Sequence, residues 1–293
     1  MLQKIIDAVI QAIIQGLTEF LPVSSSGHLT LYSYLTGQNA EEATLMMVIL
    51  HLGTLIAVFI AFRDTVWALI KELGVLIKDI FTGKFKWSTM NGERRMIMML
   101  LISLVILVPF YLVNDYIEGF SEKVGVIFLG ICFLYTSAIL FLSDRCKKSE
   151  KEPKDIVTKD AVVVGIFQSI ALLPGISRSG STIAGGLFSG FSRETAVKYS
   201  FILGIPTILG GCLVELKDTL DAGVTDIDIL PMLVGFVVAA VVGICAIKMV
   251  SWLVKSNKFK IFAIYTFILG ILVIGMGIFE KINGMNVYEY FFK

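Results

Sequence analysis

Two long apolar regions of this chain are interrupted where a membrane-crossing helix tolerates no interruption. Residues 2–36 break at Pro22 and the serines Ser24, Ser25 and Ser26, and residues 158–190 break within Pro174–Ser181. A crossing helix needs about 20 consecutive, mostly apolar residues, and each half of these regions is too short. Irregular backbone survives at membrane depth only when it is buried in protein or lines a wet cavity. Both regions therefore read as re-entrant helix–loop–helix pairs, entering and leaving on one side. Six other stretches are long enough to span: 43–63, 93–113, 122–143, 194–215, 229–253 and 259–281.

Composition agrees. Of 293 residues, 56% are hydrophobic and 17% charged, against about 45–50% and about 25% in soluble domains. The mean hydropathy is +0.83. Nineteen Lys and Arg fall on one side of the expected membrane, mostly in the connections 63–95 and 144–160. Five fall on the other side: Lys4, Lys123, Lys217, Lys281 and Lys293. The excess marks the cytoplasmic face and places both termini outside. The first apolar run carries Asp7 and Gln11 and lacks a cleavage pattern, so it does not read as a signal peptide. Cys132, Cys146, Cys212 and Cys245 show no paired spacing and read as thiols packed like hydrophobes.

The two interruptions resemble each other. Gln15 and Gly27, like Gln168 and Gly180, lie twelve positions apart, and each stretch runs from glutamine through apolar residues and a proline to serines and glycine. Three expected spans follow each copy. Three is odd, so the second copy starts on the opposite face. The expected fold is an all-α polytopic membrane protein, with six transmembrane helices and two re-entrant pairs in an inverted-topology repeat. It forms a single membrane domain over 1–293, repeat one being about 1–143 and repeat two about 158–281. Such repeats place a site near the midplane, between broken helices.

The polar residues cluster at those breaks. Asp7, Gln11, Gln15 and Glu19 recur every four positions and make one stripe on a helix. The stripe reads as facing a wet cavity, or alternatively as a seam bonded to a neighbouring helix. Ser24, Ser25, Ser26 and Gly27 precede one half-helix; Ser177, Ser179, Gly180, Ser181 and Thr182 sit similarly in the other copy. Serines cap helix starts, and helix starts bind anions. Arg178 at membrane depth costs about 2.5–3.5 kcal/mol on the lenient scale, so a partner must compensate it. That partner is a phosphate ligand, matched by the guanidinium fork, or alternatively Glu19. His28 beside the first serines suits proton transfer or nucleophilic attack. His51, in mid-span without a local partner, reads as a packing or outer supporting group. Met96–Met99 reads as ordinary packing.

The motifs "QGLTEFLPVSSSGH" (Gln15–His28) and "PGISRSGSTI" (Pro174–Ile183), with the layout of the whole chain, closely resemble the bacterial undecaprenyl-diphosphate phosphatase, or bacitracin-resistance, family. The resemblance implies a bacterial plasma-membrane enzyme that removes the terminal phosphate of a prenyl diphosphate lipid, recycling the carrier for cell-wall synthesis. It implies Glu19, Ser25, His28 and Arg178 as catalytic residues, with His28, Ser25 or water as nucleophile and His28 preferred. Gln15, Ser24, Ser26, Gly175, Ser177, Ser179 and Thr182 are expected to bind substrate. A divalent cation, Mg2+ or Ca2+, is expected at Glu19 with help from Gln15, which stands where many members have glutamate. A homodimer and no nucleic-acid partner complete the expectations. The rival reading is a transporter or flippase for a phosphate-bearing lipid or anion.

Overall fold

Each break in the sequence pattern becomes a junction between two helices. The computed structural model describes residues 1–293 except 38–39, 114–115, 117–118, 120–123, 148, 222–227, 257, 286 and 293. Lys123, Lys148 and Lys293, which entered the charge count, lie outside the described residues. The helices are α1 (Leu2–Thr18), α2 (Ser25–Thr36), α3 (Ala40–Ala61), α4 (Arg63–Phe81), α5 (Gly92–Tyr111) and α6 (Val126–Asp144). They continue as α7 (Thr158–Ile170), α8 (Arg178–Phe188), α9 (Arg193–Asp221), α10 (Ile229–Lys255), α11 (Lys260–Asn283) and α12 (Val287–Phe292). The described residues form no strand, only an isolated bridge between Lys151 and Phe191.

Local chemistry sets the ends. Ser24 caps α2 by accepting the Gly27 N–H, and Gly37, at φ +66°, closes it in the left-handed conformation that glycine adopts without strain. Ser177 caps α8 by accepting the Gly180 N–H. The Asn91 side chain does the same for α5 with the Arg94 N–H.

Five helical segments are each long and apolar enough to cross a membrane: Gly92–Tyr111, Val126–Asp144, Arg193–Lys217, Ile229–Val254 and Lys260–Asn283. A sixth arises if Leu45–Ala61 and Arg63–Phe81, which meet at 89°, count as one bent span. The chain is a multi-pass, all-helical membrane protein. The stretch 63–95, read from sequence only as a basic connection, contains α4. This helix buries Val66, Leu69 and Leu76, exposes Trp67 and Phe81, and is clamped to α5 by Arg94, which pairs with Glu72 at 2.6 Å and Asp79 at 2.8 Å.

Packing joins helices far apart in the chain. Helix α1 lies against α10 and α3, α7 lies against α5, and α6 pairs with α11. The α6–α11 seam depends on small residues: a Cβ on Gly130 would stand 2.6 Å from Ile274 Cγ1 and 2.8 Å from the Gly270 carbonyl oxygen. Close backbone approach of this kind replaces the hydrophobic drive that lipid cannot supply. The polar stripe of α1 turns inward, with Gln11, Gln15 and Glu19 buried and Asp7 accepting from the Tyr32 hydroxyl at 3.2 Å. Cys132 and Cys212 are buried, whereas Cys245 is exposed, so packing in the interior does not account for that thiol.

The seam yields a test. Gly130→Val forces α6 and α11 apart and should destabilise the detergent-solubilised protein by about 1–3 kcal/mol, read as a lower Tm. Gly74→Ala on exposed α4, where a Cβ meets nothing, should leave Tm unchanged or slightly raised.

Candidate active site

The two interrupted regions meet tip to tip. A Cβ on Gly27 would lie 3.1 Å from Gly175 Cα, and one on Gly180 would lie 3.1 Å from Pro22 Cβ. Ser179 Oγ donates to the Leu21 carbonyl at 3.2 Å, binding one loop to the other. The two copies share local geometry. Ser24 accepts from Gly27 N–H at 3.2 Å, and Ser177 from Gly180 N–H at 3.0 Å. Ser24 and Ser26 hydroxyls stand 3.4 Å apart, and those of Ser177 and Ser179 stand 3.3 Å apart.

In this register Ser25 and Arg178 are equivalent, each being the first residue of its half-helix. Both reach the same carboxylate. Glu19 Oε1 accepts from Arg178 Nη2 at 2.6 Å, and Glu19 Oε2 accepts from Ser25 Oγ at 2.7 Å. Gln15 Nε2, one turn earlier on α1, also donates to Oε2, at 3.0 Å. The Glu19 side chain is 6% exposed and that of Arg178 16%. The positive ends of two helices add to the arginine in stabilising that buried charge.

The arginine has a built seat. Its Nη1 donates to the Ser200 carbonyl at 3.4 Å, and a Cβ on Gly204 would come within 2.3 Å of Nη1. The guanidinium therefore lies on bare backbone of α9. Thr182 bonds to the Arg178 carbonyl at 2.9 Å and to the Ser200 hydroxyl at 2.6 Å, tying α8 to α9 beside it.

His28 is held at both nitrogens. Nδ1 lies 2.7 Å from the Ser24 carbonyl, which only accepts, so Nδ1 carries the proton. Nε2 then accepts from the Tyr265 hydroxyl at 2.7 Å. The two rings are nearly parallel, 5.7 Å apart, and Phe133 closes the edge of the imidazole. Ser24 has φ +74° and is the one non-glycine residue at positive φ among those described. Such backbone costs about 1–3 kcal/mol and clusters at functional sites.

The structure thus brings Gln15, Glu19, Ser25 and Arg178 into direct contact and sets His28 one step away, through Ser24. Of the residues expected to bind substrate, Ser177, Ser179 and Thr182 have protein partners for their hydroxyls, and Gly175, at φ +93°, packs against Leu129. Sequence reasoning missed Gly204, Ser200 and Tyr265. It also left His51 without a partner, whereas His51 Nε2 stands 3.7 Å from Glu19 Oε2. A histidine in mid-span is itself a signal of function, and it pointed here.

The sequence that builds this site has relatives. A sequence model described as "Bacitracin resistance protein BacA" matches residues 8–272. The chain belongs to this family. Among curated BacA-like relatives, the undecaprenyl-diphosphatase of Alkaliphilus metalliredigens is 36% identical over 269 residues, covering 91% of this chain and 96% of the relative. That of Halothermothrix orenii is 38% identical over 273 residues, covering 92% and 97%. That of Methanobrevibacter smithii is 40% identical over 273 residues, covering 92% and 96%.

For this BacA-family chain the Glu19–Arg178 pair has a measurable signature. Arg178→Met strands a buried carboxylate and should lower stability by about 3 kcal/mol or more. Adding Glu19→Gln removes the stranded charge and should restore much of that loss. Tm values of the two single variants and the double variant give the coupling; strictly additive losses would show that the pair contributes nothing.

Proposed function

We propose that this chain is an integral-membrane phosphatase that hydrolyses undecaprenyl diphosphate to undecaprenyl phosphate and inorganic phosphate. It thereby recycles the lipid carrier for cell-wall synthesis and confers bacitracin resistance. Family membership supports the reading, and one observation carries its chemistry: Ser25 and Arg178, from opposite hairpins, share the buried carboxylate of Glu19.

The terminal phosphate of the substrate competes with Glu19 for Arg178, since a guanidinium fork fits phosphate and carboxylate oxygens alike. Once the arginine turns to the diphosphate, Glu19 loses that partner and accepts the Ser25 proton. The Ser25 oxygen attacks the terminal phosphorus. The bond from phosphorus to the bridging oxygen breaks, and that oxygen leaves with the lipid monophosphate. Water then attacks the phosphoserine, Ser25 recovers its proton from Glu19, and inorganic phosphate departs. Arg178 and the two helix starts offset charge on the phosphoryl oxygens, the main task in this chemistry.

This assignment replaces His28 as the preferred nucleophile. Its Nε2 lone pair is engaged by Tyr265 and its Nδ1–H by Ser24, so His28 positions the strained turn that presents Ser25. Ser24 and Ser26 line the same turn. A divalent cation fits the remaining donors: Gln15 Oε1 is buried without a hydrogen-bond partner, beside the Glu19 carboxylate. A bound Mg2+ or Ca2+ would neutralise phosphate charge.

The hairpins are read as re-entrant, in an inverted repeat with both termini outside. The exchanged packing supports this: α1 of repeat one lies on α10 of repeat two, while its counterpart α7 lies on α5 of repeat one. The prenyl tail needs no polar recognition and lies along lipid-facing helix surface.

Purified protein should release phosphate from undecaprenyl diphosphate with a divalent cation present. Ser25→Ala, Glu19→Gln and Arg178→Ala should each lower kcat at least about 100-fold. Gly204→Ala, which crowds the guanidinium, should also lower it. Acid-quenched turnover should place phosphate on the peptide containing Ser25. Wild-type rates in Ser25→Ala would remove serine from the chemistry.

A further inference from the structure

Helix α4 follows α3 with only Phe62 between them, and the two axes meet at 89°. With α3 standing as the span that the sequence predicts over 43–63, α4 lies close to the membrane plane. A crossing of its own would be costly. Lys71 and Glu72 stand at mid-helix, and a lysine at the bilayer centre costs about 2.5–3.5 kcal/mol on the lenient scale.

The surface of α4 divides into three faces. One packs inward and buries Val66, Leu69 and Leu76. The next exposes Ile70, Leu73, Ile77, Ile80 and Phe81, which recur at helical spacing and make a continuous apolar stripe. The third carries Lys71 and Lys78, both exposed and two turns apart. Trp67 sits at the border between stripe and lysines, with Lys71 Nζ 5.3 Å from its ring centroid. The acids are arranged otherwise. Glu72 and Asp79 turn inward, where Arg94 of α5 holds both, and Asp64 stands 3.7 Å from Arg63. The outward charge of α4 is therefore basic, and the exposed Lys84 and Lys86 extend it past the helix end.

The tryptophans mark one level. All three in the chain, Trp67, Trp87 and Trp252, are exposed, and tryptophan is enriched where membrane meets water. Trp252 lies near the end of α10, and its neighbours Ser251 and Val254 line a small cavity together with Phe62, the hinge of α4. Lys258 Nζ stands 5.1 Å from the Trp252 ring centroid, repeating the pairing of Lys71 with Trp67.

We infer that α4 lies flat in the headgroup region on the lysine-rich side of the membrane and binds anionic phospholipid headgroups through Lys71 and Lys78. Its apolar stripe sinks to the acyl boundary, and its lysines meet the phosphates above, the arrangement by which amphipathic helices hold an anionic surface. The inference stands apart from the phosphatase reading.

The test uses the full chain in nanodiscs with Trp87→Phe and Trp252→Phe, which leave Trp67 as sole tryptophan. A second chain adds Trp67→Phe and Ile77→Trp. Quenching by lipids brominated at different chain positions gives the depth of each probe. A flat helix places positions 67 and 77 at similar, shallow depth. A crossing helix separates them by about 15 Å, ten residues of rise, and that result overturns the inference. Brominated phosphatidylglycerol should quench Trp67 at least about twofold more than the same fraction of brominated phosphatidylcholine. Added salt should erase this preference, and so should Lys71→Gln combined with Lys78→Gln; the salt arm decides if that variant fails to fold. Equal quenching by the two lipids overturns the inference. So does a Trp67 shielded from both, which would show a protein partner, such as a second copy of the chain, on α4.

Discussion

A buried arginine needs an anion, and in this protein the anion comes from the other half of the chain. Arg178 on α8 is compensated by Glu19, which follows α1, at 2.6 Å. Left alone in the membrane interior, the arginine costs about 2.5–3.5 kcal/mol on the lenient scale. Losing either partner of such a buried pair costs about 3–5 kcal/mol. Neither interrupted region can therefore sit comfortably without the other, and the contact ties the two halves of the chain together. The capping serines, the glycine contacts between tips and the bare backbone at Gly204 all accommodate this one bridge.

In the proposed mechanism the same bridge is what a diphosphate must open. A site that stores its arginine on its own carboxylate is closed to weak anions and yields to a ligand offering several charged oxygens. On that proposal, opening it would change Glu19 from a counter-ion into a proton acceptor next to the Ser25 hydroxyl. Binding and activation of the nucleophile would then be one event. The strained Ser24 turn, steadied by His28 and Tyr265, holds that hydroxyl in place before substrate arrives.

Much of this was legible in the sequence because it is local. Span lengths follow from bilayer thickness, and α5, α6, α9, α10 and α11 begin within a few residues of expectation. The shared register of the two motifs was visible, and so was the demand of Arg178 for a partner, with Glu19 among the two candidates. The contacts of His51 with Glu19, Tyr265 with His28, and Gly204 with Arg178 join residues far apart in the chain. They depend on how helices rotate and cross, which residue spacing does not encode. Helix α4 was hidden differently: its lysines and acids disguised an amphipathic helix that buries Val66, Leu69 and Leu76 on one face.

An experimental structure with a methylene-bridged prenyl diphosphonate, which cannot be hydrolysed, tests the central claim most directly. The account predicts the diphosphonate at the meeting point of α2 and α8, with Arg178 turned from Glu19 onto its terminal oxygens and Ser25 Oγ facing the terminal phosphorus. An analogue bound elsewhere, with Glu19 and Arg178 still joined, would contradict it.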